Sequence, residues 1–329
     1  MGGNIFKTEH EVVRLELNEY NEYVKEISLL LYKLGIIEFF PTQGIRNKTD
    51  FGDMDIILPT RPINSDVFHY LSTQYPNSRN GDVFSFLYKK FQIDLIQVDP
   101  SVYKYACHYF SWNDLGNLVG RIAKQLGFKH GHDGLYYIQR DGDLVLKTHL
   151  LSTCYLDILN ILGLDKYKFM KGFDTYTQLF DYVMSSPYYN PDIFKLENLN
   201  NINRVRDRKR KTYNMFLQYA LEREHLYESK PKLSKEERAD FVFNLFPIKD
   251  EVDRLYKEHA LKKEVASKTN GNLLMSFIPE LSGKELGVFI SYLKENAVQL
   301  YCEDVLTMSE DEIKEVVLTA YKAYTNVSI

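Results

Sequence analysis

From Asn18 to Leu34 apolar side chains recur at three- and four-residue steps (Tyr20, Tyr23, Val24, Ile27, Leu30, Leu31, Leu34), which predicts an amphipathic helix stopped by Gly35. The apolar run Ile36–Phe40 predicts a short strand, and Thr42–Asp50 a polar loop. In Asp53–Leu58 apolar and β-branched residues follow two carboxylates, and Pro59 closes what reads as a strand. A helix over Ser65–Tyr75 and a loop over Pro76–Asp82 lead to two strands, Val83–Tyr88 and Phe91–Val98. Trp112–Leu126 reads as a helix, and Tyr136–Gln139 with Leu144–Lys147 as strands joined at an Asp-Gly turn, Asp141-Gly142. Beyond Leu151 strand signals fade. Helical spacing then recurs over Asp157–Leu164, Thr175–Met184, Asn203–Leu226, Ser234–Leu245, Lys249–Ala266, Gly283–Asn296 and Ser309–Tyr324. Ser234 with Glu237, and Ser309 with Glu312, have capping-box spacing. The pattern predicts an α+β front half and an all-α back half, with a helical lead-in over 1–35, a sheet-bearing domain over 36–150 and a helical domain over 151–329.

Composition narrows the class. At 329 residues the chain suits one large core or two ordinary ones, and 44% hydrophobic with 26% charged residues is an ordinary globular balance. The 25 Tyr and 20 Phe read mainly as core rather than as stacking surfaces. A formal charge of −4 excludes a whole-chain basic footprint, so any polyanion site has to be local. Three scattered cysteines, Cys107, Cys154 and Cys302, give neither metal spacing nor a disulfide framework. No apolar run approaches the ~20 residues of a membrane span. The start, Met1 to Phe6, lacks a signal-peptide plan and the hydroxyl residue of a myristoylation motif. A cytoplasmic protein is the expectation.

The chemistry concentrates in three aspartates. Asp53 and Asp55 are two apart in a strand, so period-two alternation puts both side chains on one face. Like charges side by side call for a cation between them, and Mg²⁺ suits carboxylates that also meet phosphate. Asp94, flanked by Ile93 and Leu95, needs a partner if buried. Were its strand next to that of Asp53, the trio could hold two metal ions for an in-line displacement, with Asp94 serving the attacking hydroxyl. Asp99 before Pro100 reads as a turn.

These residues resemble a known family. Gly52-Asp53-Met54-Asp55-Ile56-Ile57-Leu58 is similar to the metal-binding strand of DNA polymerase beta-like (family X) nucleotidyltransferases, and Ile93-Asp94-Leu95 to the strand of that family's third catalytic aspartate. Tyr109-Phe110 and the helix that follows resemble the family's Tyr-Phe segment. The likeness spans about Phe39 to Lys147 and continues into the strand Gly134-Leu135-Tyr136-Tyr137. It implies a polymerase beta-type palm, a mixed sheet with helices, in residues 36–150. It implies catalytic metal ligands at Asp53, Asp55 and Asp94, two Mg²⁺ ions with Mn²⁺ as an alternative, and a nucleoside triphosphate as substrate. Tyr109 and Phe110 would lie by the sugar, with Asn117 and Arg121 toward the base pair. The family's Gly-Ser at a helix start is missing; Thr42-Gln43-Gly44-Ile45-Arg46 stands in its place, with Gly44 for close backbone approach, Thr42 or Gln43 for the serine, and Arg46 or Lys48 for phosphate. The 35 or so residues ahead of the palm are too few for the lyase domain of the DNA-repair members. Further on, Glu280-Leu281-Ser282-Gly283-Lys284-Glu285-Leu286-Gly287 is faintly similar to the helical body of CCA-adding tRNA nucleotidyltransferases.

Arg204-Val205-Arg206-Asp207-Arg208-Lys209-Arg210-Lys211 is the densest basic run. It reads either as a solvated helix face or as a phosphate track, in which Arg206, Arg208, Lys209 and Arg210 would join Lys124 in holding nucleic acid. His130 and His132, around Gly131, read as a turn rather than a metal site. The expectation is a metal-dependent nucleotidyltransferase acting on a nucleic-acid 3′-hydroxyl, RNA or a tRNA end, with release of pyrophosphate. A templated DNA polymerase, nucleotidylation of a small molecule or protein, and a binding module without activity stand as alternatives.

Overall fold

A computed structural model describes residues 5–60, 64–227 and 230–327; Met1–Asn4, part of the chain start read above, lie outside the described residues. The first element, helix α1 (Leu17–Lys33), buries Ile27 and Leu31 and carries a capping box between Glu16 and Glu19. Strands β1 (Phe40–Pro41) and β2 (Asp53–Leu58), helix α2 (Ser65–Gln74) and strands β3 (Asn77–Asn80), β4 (Val83–Tyr88) and β5 (Phe91–Gln97) follow. They form a five-stranded mixed sheet in the order β1-β2-β5-β4-β3. The β2–β5 pair is parallel and the others antiparallel. The expected Ile36–Phe40 strand shrinks to a two-residue pairing, and β3 arises from Asn77-Ser78-Arg79-Asn80, a polar edge strand with no apolar alternation to announce it.

Strand alternation gives this sheet two different faces. Met54, Ile56, Leu58, Ile93, Leu95, Phe84 and Phe86 share one face and are buried in a core with Ile27 and Leu31 of α1 and Val67 and Leu71 of α2. At ~25 cal/mol per Å² of apolar surface, this core is a main source of the unit's stability. On the other face Ile57, Ile96 and Val98 pack with Ala106 and Cys107 of helix α3 (Tyr103–Phe110). That packing covers one end of the face and leaves the Asp53 end uncovered by it.

The next helix, α4 (Leu115–Gln125), starts three residues later than its spacing predicts. Trp112 and Asn113 take left-handed backbone conformations, φ 64° and 59°, uncommon for such side chains. Tertiary bonds hold them there: the Trp112 N–H donates to the Gln43 carbonyl at 2.6 Å, and Asn113 Oδ1 accepts from the Ile45 N–H at 3.1 Å. A second sheet of β6 (Phe128–Gly131), β7 (Gly134–Asp141) and β8 (Leu144–Ser152) follows, antiparallel throughout.

Helices α5 (Tyr155–Ile161), α6 (Lys166–Lys171), α7 (Tyr176–Met184), α8 (Asn201–Arg208), α9 (Lys211–Glu222) and α10 (Lys235–Leu245) come next. The helix predicted over Asn203–Leu226 is broken at Lys209-Arg210. There Asn214 Nδ2 donates to the carbonyls of Asp207, Arg208 and Arg210 at 3.3, 3.0 and 2.6 Å, adding to the backbone bonds that Asp207 and Arg210 already accept and supplying one to Arg208.

The chain divides into two compact units, Met1–Phe246 and Pro247–Ile329, so α5 to α10 share the unit of both sheets, past the boundary at 150 expected from the sequence. The second unit is helical: α11 (Lys249–Lys268), α12 (Gly271–Phe277), α13 (Gly283–Asn296) and α14 (Glu310–Val327) enclose their own core, with Leu274, Phe289, Leu293 and Leu300 fully buried. Both expected capping boxes form, at Ser234 with Glu237 and at Ser309 with Glu312. Among the described residues no helix is long and apolar enough to cross a membrane.

Candidate metal centre

The parallel register of β2 and β5 sets Asp55 beside Asp94 and Asp53 beside Gln92. Ser85 of β4 pairs with Asp94 from the other side. All five therefore share one face. One oxygen from each of Asp53, Asp55 and Asp94 lies within 4.8 Å of the others. The expectation that three carboxylates from two neighbouring strands converge is met.

The electrostatics of this trio are unfavourable without a counter-charge. Asp94 is 8% exposed, and Gln92 Nε2 donates to both of its oxygens at 3.0 and 2.9 Å. Burial raises its pKa to about 6, with the Asp53 charge adding to the rise, while hydrogen bonds from Ser85 and Gln92 work against it. Burial, then the charges of Asp53 and Asp94, raises Asp55 well above the carboxylate range. Lys48 lies nearby with its Nζ 4.4 Å from the centre of the Phe51 ring. Burial lowers the lysine's pKa, opposed by Asp53 and Asp55. Three hard oxygen donors at this spacing, strained by mutual repulsion, fit a divalent cation of the Mg²⁺ class.

Asp53 and Asp55 open into a cleft of about 830 Å³. Ten residues named from the sequence line it: Thr42, Gln43, Gly44, Lys48, Gly52, Tyr109, Phe110, Asn117, Arg206 and Arg210. The loop before β2 is anchored on both sides. Thr42 N–H donates to the Asp55 carbonyl at 2.9 Å, and the N–H groups of Arg46 and Asn47 to the carbonyls of Phe173 and Asp174 at 3.1 and 3.0 Å. Among the described residues the N–H groups of Gln43 and Gly44 have no protein acceptor.

Six named residues do not line the cleft, the buried Asp94 among them. Arg46 is an anchor: its guanidinium pairs with Asp174 at 2.5 Å, also reaches the Lys171 carbonyl, and lies 5.8 Å from the Trp112 ring centre. Arg121, expected toward the base pair, is 6% exposed and ion-paired with the fully buried Asp207. Its position on the inner face of α4, beside Leu118 and Ile122, explains the difference. Lys124, Arg208 and Lys209 are exposed outside the lining.

The α8–α9 junction supplies the helical side of the cleft. Asp207 Oδ1 accepts from Arg206 Nε at 2.9 Å and lies 3.7 Å from Arg210 Nε; Arg206 Nη2 donates to Asn117 Oδ1 at 2.9 Å, and Arg210 pairs with Asp114. Sequence reading passed over Asp114, Asn113, Lys211 and Tyr176 here, and the Arg14–Asp50 pair (2.6 Å) by the loop. Lys211 closes the basic run of the sequence but is not singled out within it. In the Lys129–Gly134 segment only His132-Asp133 form the expected turn; Lys129–Gly131 belong to strand β6. Within the segment His130 is half-buried, its ring nitrogens enclosed beside the rings of Tyr105, Tyr109 and Tyr155, whereas His132 lines the cleft 5.6 Å from Phe110. Gly116 in α4 permits the close approach of Tyr109, since a Cβ there would meet the Tyr109 carbonyl oxygen at 2.5 Å.

No protein-family model matches the chain, and no curated protein matches it.

Proposed function

We propose that this protein is a metal-dependent nucleotidyltransferase that moves a nucleoside monophosphate from a nucleoside triphosphate to a nucleic-acid 3′-hydroxyl, an RNA or tRNA end, and releases pyrophosphate. The observation that carries this reading is the convergence of Asp53, Asp55 and the buried Asp94, the first two lining a cleft large enough for a nucleotide. The resemblance of both aspartate strands to the polymerase beta palm supports it, as does their adjacency in the sheet.

Asp53, Asp55 and Asp94 would hold Mg²⁺ or Mn²⁺, which when bound supplies charge neutralisation at the transferring phosphoryl group and lowers the pKa of the attacking hydroxyl. The protein's own groups do the rest. Asp94 takes the hydroxyl proton onto a carboxylate oxygen; Gln92 and Ser85 fix the orientation of that carboxylate. The open N–H groups of Gln43 and Gly44, with Lys48, receive the triphosphate in place of the family's Gly-Ser. Tyr109 and Phe110, with ring centres 5.3 Å apart and planes at 85°, line the cleft and would lie against the nucleotide's sugar.

The test is incubation of purified protein with each labelled NTP and dNTP, RNA and DNA primers, and Mg²⁺. Untemplated extension of an RNA end is expected, with a loss of at least about a hundredfold in Asp53→Asn and Asp55→Asn, the scale of losing a preorganised electrostatic group. Extension only of templated DNA primers would replace the acceptor with that of a DNA polymerase. Absence of transfer to any primer with any nucleotide would overturn the reading.

A further inference from the structure

The basic run does not spread evenly around a helix. Its break divides it into cations held at the cleft and cations left outside. Arg206 and Arg210 line the cleft, and both are tied to Asp207, which has no exposed surface. The same carboxylate binds the buried Arg121, and Asp114 binds Arg210. Lys211, the first residue of α9, lines the cleft with no ion pair within 4 Å among the described residues. Arg121, Arg206, Arg210 and Lys211 thus outnumber Asp207 and Asp114 by two, and Asp50, whose charge acts on Lys211, is itself paired with Arg14.

Burying a carboxylate costs free energy unless its partners repay it, and one arginine would have sufficed for neutrality. The additional guanidiniums are held rigidly instead, through Asp207, Asp114 and Asn117, and rigid forks of N–H donors suit phosphate oxygens. We infer that Arg206, Arg210 and Lys211 form a phosphate subsite, which takes a backbone phosphate of the strand whose 3′-hydroxyl is extended. The loop at Gln43, Gly44 and Lys48 comes from a different segment of the chain, before β2, and is assigned to the triphosphate, so the α8–α9 side is assigned to the strand. Assigning that phosphate to the acceptor rests on the transferase reading; the subsite itself does not.

The test is equilibrium binding by Arg206→Gln, Arg210→Gln and Lys211→Gln, side chains that keep bulk and hydrogen bonding but lose charge, with Lys25→Gln on α1 as the control. One arm measures a labelled 12-nucleotide single-stranded RNA by anisotropy at several salt concentrations, without nucleotide; the other measures ATP with Mg²⁺ by calorimetry, without RNA. Each cleft variant is expected to weaken RNA at least fivefold and to reduce the log–log salt slope by about 0.7, the value for one phosphate contact on a single strand, with ATP affinity within twofold. Weakened ATP with unchanged RNA would overturn the acceptor assignment and give the subsite to the triphosphate. Changes no larger than those of Lys25→Gln in both arms would overturn the subsite. RNA binding that follows the expected pattern in a protein that transfers no nucleotide would count against the enzymatic reading and leave the subsite standing.

Discussion

Replacing Asp94 with Asn should make the metal-free protein more stable, although it removes a proposed catalytic group. Asp94 is buried, and its pKa is raised from 3.8 to about 6. The native state therefore holds a proton that the unfolded chain releases, so the group favours folding below the unfolded pKa and that contribution is lost as pH rises through about 6. Two pH units at 1.36 kcal/mol each give a destabilisation of roughly 3 kcal/mol at pH 7.5. Asparagine removes the charge and keeps the shape, but Gln92 Nε2 now donates to both carboxylate oxygens and would keep only one acceptor. Subtracting about 1 kcal/mol for that bond leaves a net gain of roughly 2 kcal/mol. In a unit of this size, that corresponds to about 4–8 °C in Tm. Trp112, the single tryptophan, is buried in the same unit and gives a local fluorescence signal. The melt is compared at pH 7.5 in chelator, where Asp94→Asn should unfold later, and near pH 4, where the difference should fade. Saturating Mg²⁺ at ~100 times Kd should then add about 2.7 kcal/mol to the wild type and little to the variant. Identical melts at pH 7.5 with and without Mg²⁺ would refute the electrostatic reasoning and the cation site together.

His130 runs the opposite way. Burial lowers its pKa to about 4 from 6.5, so its contribution is complete above pH 6.5 and is lost as pH falls toward 4, by at most about 3 kcal/mol; in an Asp94→Asn background, denaturant titrations at pH 7 and 4.5 should show that loss, and His130→Gln should remove it. Gly116→Ala should destabilise by about 1–3 kcal/mol through the 2.5 Å clash with the Tyr109 carbonyl, whereas Gly120→Ala, whose Cβ meets nothing nearer than 3.7 Å, should gain up to about 1 kcal/mol from helix propensity; thermal melts of the two give opposite signs. Asp207→Ala leaves Arg121 buried without its counter-charge and should cost about 3–5 kcal/mol, read as a lower urea midpoint. Arg46→Ala, by contrast, removes a half-exposed pair with Asp174 and should cost no more than about 1 kcal/mol in the same assay.

The parts of the fold that the sequence made legible are those where one local pattern decides the outcome. Asp53–Leu58 and Val83–Tyr88 have the predicted bounds because alternation and a clear terminator agree there. The same alternation put Asp53 and Asp55 on one face, and only the pairing of β2 with β5 was needed to bring in Asp94. Legibility failed where tertiary contact overrode local preference. Trp112 and Asn113 suit a helix by spacing, yet their bonds to Gln43 and Ile45 hold them left-handed. Arg121 looked available because a charge in an amphipathic helix is usually solvated; its partner Asp207 lies 86 residues away in sequence. Lys211 entered the cleft at a helix break held by Asn214 and by the ion pairs of Asp207 and Arg210, contacts that local spacing does not announce.

The parallel pairing of β2 with β5 also dictates when the acidic cluster can exist. Residues 53 and 55 reach residue 94 only after the intervening α2, β3 and β4 have been laid down and the crossover has closed, a slow, non-local step. Until then Asp94 is far from Asp53 and Asp55, and its repulsion with them opposes nothing. The cation site would therefore be completed late, on the native side of the rate-limiting barrier. An ion bound there would act as a clasp: it would slow unfolding and leave the folding rate almost untouched.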